Sequence, residues 1–118
     1  MSIESLKQIE GINVTQGLTN CMEDEELYLS IAGMYVEQIN EYLPQLTELY
    51  NSQNWEQYGH IAHSIKGASA SVGTEVVQEK SAELEQAAKQ QNYDPIINGH
   101  QDYMSLLTTT LEQIQNCL

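Results

Sequence analysis

Two histidines three residues apart, His60 and His63, begin the stretch His60-Ile61-Ala62-His63-Ser64-Ile65-Lys66-Gly67-Ala68-Ser69-Ala70-Ser71-Val72-Gly73. Imidazole suits nucleophilic work near neutral pH, because its ordinary pKa is about 6.5. Lys66 follows His63 by one helical turn. A neutral imidazole nitrogen can attack phosphorus, and an ammonium one turn away would steady the phosphoryl group it received. The resulting N–P bond stays reactive, so the pair suits handing a phosphoryl group onward. His60 and His63 also raise a metal reading, which needs a third and a fourth ligand in reach. Only Glu56 flanks the pair, and His100 falls on an apolar stripe elsewhere, so no metal site is expected.

These residues need a helix to hold them. Tyr58, Ile61, Ala62, Ile65, Ala68, Ser69 and Val72 recur at steps of three and four, which makes one mostly apolar stripe. His63 lies off that stripe. Gly59, His60, Ser64, Gly67 and Ala70 surround it as the expected contact set for a second protein. Two glycines inside a helix cost roughly 1 kcal/mol each relative to alanine, which makes sense where another body must approach closely.

Composition narrows the partners. The chain has 118 residues, enough for one domain with a real core, and 41% are hydrophobic. Seventeen acidic residues against four lysines and no arginine leave a formal net charge of -13. Nucleic acid and anionic membrane are therefore poor partners. Between Lys7 and Lys80 the one strong base is Lys66. Cys21 and Cys117 lack metal-ligand spacing and read as reduced thiols. No apolar run approaches the ~20 residues that span a bilayer, and the first residues do not resemble a signal peptide.

Periodicity predicts helices throughout. A lead-in over about 1–22 holds two short segments, the second capped by Asn13. A long helix over about 24–51 starts in an acidic turn and buries Leu27, Ile31, Met34, Tyr35, Ile39, Leu43 and Leu46, with a kink or a fresh start at Pro44. Asn54 caps a helix over 55–72, which Gly73 stops. Thr74 caps the next, over 75–91, with Val77, Leu84 and Ala88 inward and Lys80, Glu83, Glu85 and Lys89 outward. The last, over 95–117, has Asp94 as N-cap and Pro95 at its first position, and a stripe of Ile97, His100, Met104, Leu107, Leu111, Ile114 and Leu118. No strand pattern appears. Long amphipathic helices joined by short turns predict an all-α, antiparallel up-down four-helix bundle, one domain over 1–118, with the N-terminal segments capping one end. A phosphate-binding loop, a nucleophile elbow and a kinase nucleotide signature are all absent.

The stretch from His60 to Gly73 resembles the core motif of the histidine-containing phosphotransfer (HPt) domain family of bacterial multistep phosphorelays. Gly11-Ile12-Asn13, Gly17-Leu18 and Glu26-Leu27-Tyr28 resemble its entry segment, and Ala82-Glu83-Leu84-Glu85 its later helix. The upstream helix departs from it, with Met34 and Tyr35 where the family usually shows phenylalanine. The resemblance implies a phosphocarrier rather than an autonomous enzyme. His63 would take a phosphoryl group from a receiver-domain aspartate and pass it to another receiver. Lys66 would steady it, and Gly67 would leave room for the partner. Response-regulator receivers are the implied partners, with a hybrid sensor histidine kinase as a further one. The domain would need no cofactor of its own, Mg²⁺ being supplied by the receiver. The implied setting is cytoplasmic, free or as a module of a membrane-bound kinase. The competing reading is a non-catalytic helical interaction module.

Overall fold

A computed structural model describes residues 3–118, so Met1 and Ser2 of the expected lead-in lie outside the described residues. Six helices follow in order: α1 Ile3–Lys7, α2 Val14–Asn20, α3 Glu25–Asn51, α4 Trp55–Val72, α5 Glu75–Lys89 and α6 Asp94–Gln115. Among the described residues there is no named strand, only an isolated bridge between Ile12 and Thr74. No helix among the described residues is long and apolar enough to cross a membrane.

The four long helices form a closed square. Helix α3 packs on α4 and α6, and α5 packs on the same two. Short connections between successive helices make neighbours antiparallel. The N-terminal segments close one end, where Asn13 N–H donates to the Gly73 carbonyl at 2.7 Å and Tyr28 Oη donates to the Val72 carbonyl, also at 2.7 Å. Gly73 sits at φ 86° to end α4. That left-handed turn favours glycine, and a Cβ there would collide with the Asn13 carbonyl oxygen.

Asn13, Asp24 and Asn54 cap their helices, each side chain accepting a backbone N–H in the first turn. Two expected caps are corrected. Thr74 stands at the α5 N-cap position but makes no capping bond. Its hydroxyl turns into the core and donates to Tyr35 Oη at 3.1 Å. Tyr93, not Asp94, is the N-cap residue of α6, which begins at Asp94. Pro44 starts no new segment, because α3 is one helix through it.

The core is centred on tyrosine. This chain has no phenylalanine, and Tyr28, Tyr35, Tyr58 and Tyr103 are the largest fully buried side chains. Each hydroxyl keeps a partner; Tyr35 meets Ser69 Oγ at 2.9 Å and Tyr103 meets Ser81 Oγ at 2.6 Å. A paired phenol can be buried without the desolvation cost of an orphaned hydroxyl. Three stripe assignments are corrected. Leu27, Met34 and Ile97 are exposed, while Tyr28, Tyr35 and Ile96 point inward. In α6, Tyr103 takes the buried place beside a half-buried Met104.

Candidate functional site

Helix α4 turns its apolar stripe to the core and leaves His60, His63, Ser64 and Gly67 exposed. His63 keeps 63% of its side-chain surface. Helix α5 lies alongside and brings Glu85 beneath the imidazole. His63 Nδ1 is 2.7 Å from Glu85 Oε2, and Lys66 Nζ donates to Glu85 Oε1 at 2.6 Å. Lys89, one turn beyond Glu85 on α5, reaches Oε2 at 3.1 Å.

Glu85 corrects the sequence reading. Expected to face solvent, its side chain is only 7% exposed. A buried carboxylate is costly unless charged partners compensate it. Three cationic or N–H groups on two helices do so. Burial alone pushes the carboxyl up, but hydrogen bonds from Lys66, Lys89 and His63, with the Lys66 charge, outweigh it and hold the pKa at about 2. At neutral pH Glu85 is therefore an anion, which can only accept hydrogen bonds.

That fixes the histidine tautomer. The proton between His63 and Glu85 must sit on Nδ1, so neutral His63 carries its free lone pair on Nε2. An exposed lone pair on a ring held from behind by a carboxylate is a positioned nucleophile. If Nε2 takes an electrophile, the ring becomes cationic, and the carboxylate balances that charge.

Other expected contact residues separate. Gly67 is open, with nothing within 4 Å of a built Cβ, and Ser64 and His60 border His63 on the same exposed face. Ala70 is half-buried and its carbonyl accepts a bond from Asn20 Nδ2 at 3.1 Å. Gly59 is corrected: it is buried, and a Cβ there would stand 2.6 Å from Ala88 Cβ. Its small size lets α4 and α5 approach, and gives no clearance to a partner. Among the described residues no three His, Cys, Asp or Glu side chains are grouped to hold a metal ion.

His100 lies elsewhere, at the end of the bundle where α3, α4 and α6 meet. Its Nδ1 shares a 2.7 Å hydrogen bond with Tyr58 Oη, and its ring stacks on Tyr50 with centroids 4.0 Å apart. Burial lowers its pKa, which keeps it neutral.

Comparison with known proteins bears on the family and the fold. The family model for the Hpt domain matches residues 30–117. Among solved structures, the chain is similar to the HPT domain from the Hpt sensor hybrid histidine kinase from Shewanella. That match has a TM-score of 0.74 at 20% identity and covers 92% of this chain and 96% of that one. At such identity it speaks to the fold. No curated protein sequence matches.

Proposed function

Since this chain belongs to the Hpt domain family, which carries out histidine phosphotransfer in phosphorelays, we propose that His63 is the residue that bears the phosphoryl group and that Nε2 is the atom. The observation that carries this reading is the 2.7 Å bond from Nδ1–H to the Glu85 anion, which leaves Nε2 bare on an exposed face.

On this reading a receiver carrying a phospho-aspartate docks over α4, with His60, Ser64 and Gly67 beneath it and Ala70 at the rim. The Nε2 lone pair attacks phosphorus in line and forms the N–P bond. The P–O bond to the aspartate breaks, and its electron pair leaves with the aspartate carboxylate. No proton need move, because the proton stays on Nδ1 and is donated to the Glu85 carboxylate throughout. The reverse sequence loads a second receiver. Phosphoryl transfer of this kind depends on positioning and on charge stabilisation. Lys66, fixed on Glu85, adds positive charge beside the reacting group. Mg²⁺ chemistry belongs to the receiver on this reading. The cognate partners are receiver domains, including that of a hybrid sensor kinase, and the setting is the cytoplasm.

Incubation with a phosphorylated receiver, followed by detection of acid-labile phosphate, tests the assignment. His63→Gln is expected to abolish labelling and leave the helical circular dichroism unchanged. Labelling of that variant at the wild-type level would overturn it.

A further inference from the structure

Glu85 divides its two oxygens unequally. Lys66 alone occupies Oε1, at 2.6 Å, and keeps only 33% of its side-chain surface. On Oε2 sit both the His63 imidazole, at 2.7 Å, and Lys89, at 3.1 Å. Two nitrogens bonded to one oxygen stand within a few ångströms of each other. Lys89 is 66% exposed, on a flexible stem, and lines with His60, His63 and Tyr93 the cleft that opens beside the imidazole. So half-buried Lys66 is committed to the other oxygen, and exposed Lys89 shares its oxygen with the imidazole.

Charge balance gives Lys89 a task. Before transfer, the Glu85 anion meets two lysines and a neutral imidazole, so the site has one positive charge to spare. Phosphorylation of Nε2 adds about two negative charges at neutral pH and makes the ring cationic. With both lysines counted the loaded site is neutral. With Lys66 alone it is left negative, in a chain whose formal net charge is already -13. Two of the four lysines in this protein meet on this one carboxylate.

Resting on His63 as the phosphorylated residue, we propose that Lys89 is a second phosphoryl-holding group. It releases Glu85 Oε2 on transfer and pairs with the phosphoryl oxygens on Nε2, while Lys66 stays on Oε1 as the fixed counter-ion of Glu85. No bond to phosphorus is made or broken by Lys89, and no proton changes place.

Phosphoramidate tests this without a partner protein, because it phosphorylates imidazole nitrogens and releases ammonia. His60 is an internal reference: it lies one turn away on the same face, and among the described residues its ring has no hydrogen-bond partner. The decay of each phosphohistidine is followed residue by residue by NMR in the wild type, Lys89→Gln and Lys89→Arg. In the wild type phospho-His63 should outlive phospho-His60. Lys89→Gln should shorten the phospho-His63 lifetime roughly tenfold, the scale of one lost charge-assisted hydrogen bond. Lys89→Arg should restore it, and the His63 tautomer should be the same in all three. A phospho-His63 lifetime unchanged in Lys89→Gln would overturn the role of Lys89 and leave His63 standing. Failure of His63 to be labelled in the wild type would overturn the underlying assignment itself.

Discussion

His63 and His100 meet their partners at the same atom and the same distance. Each Nδ1 has an oxygen at 2.7 Å. For His63 that oxygen belongs to a buried carboxylate with two lysines around it. For His100 it is the phenol of Tyr58, among Tyr50 and Trp55. The first ring has solvent in front of it and a negative charge behind it. The second is stacked, half-buried and held neutral by burial. On the proposed reading, His63 serves as the nucleophile because the carboxylate can balance the charge its ring gains, and the Tyr58 phenol offers His100 no such balance. Tyr58 gives His100 a place in the packing.

Replacing each ring should separate the two roles most sharply. His63→Gln should remove phosphoryl acceptance completely at almost no cost in stability. His100→Asn should keep acceptance at the wild-type level and cost about 1–3 kcal/mol in urea unfolding, from a lost ring contact and an unpaired Tyr58 hydroxyl. Labelling that followed His100 instead would invert the comparison.

Glu85→Gln probes what the carboxylate adds. Acceptance should fall by roughly tenfold as the phosphorylated ring loses its charge partner. The acid dependence of stability should change as well. Glu85 titrates at about 2 in the folded chain against an ordinary 4.5, so its contribution is present above about pH 4.5 and is lost as pH falls toward 2. The stability difference between wild type and variant should therefore shrink as pH falls through that window. A difference independent of pH would show that the pairing has no energetic weight.

Two glycines extend the contrast between structural and functional positions. Gly59→Ala should cost about 1–2 kcal/mol, because the new Cβ drives α4 away from Ala88. Gly67→Ala meets open space and should gain up to about 1 kcal/mol in helix stability. It should nonetheless slow transfer from a receiver if that surface is the docking face. The smallest effect belongs to Tyr58→Phe, which removes one hydrogen bond to His100 and should cost about 1 kcal/mol with phosphotransfer unchanged.

The helix that carries His63 was readable to the residue, because Asn54 and Gly73 punctuate it chemically and its mostly apolar stripe runs its length. The bundle followed from long amphipathic helices joined by short turns. What periodicity missed was the choice between adjacent apolar residues. Leu27 and Tyr28, and Met104 and Tyr103, compete for the same place, while of Met34 and Tyr35, both expected inward, only Tyr35 is buried; each tyrosine meets a hydroxyl or carbonyl inside. Glu85 was missed for a related reason. On α5 alone it belongs to the polar side. Its burial depends on His63 and Lys66 arriving from α4, a contact between helices that no local pattern encodes. One trace was present: Lys89 follows it by four residues on the same helix face.

Long-range proton–nitrogen NMR correlations of the histidine rings, before and after phosphorylation by a receiver, bear most directly on the claim that Glu85 sets His63 up as an Nε2 nucleophile. The expected result is a proton on Nδ1 of His63 before transfer and phosphorus on Nε2 of His63 after it, with His60 and His100 unmodified. Phosphorus on Nδ1, or on either of the other two rings, would contradict it.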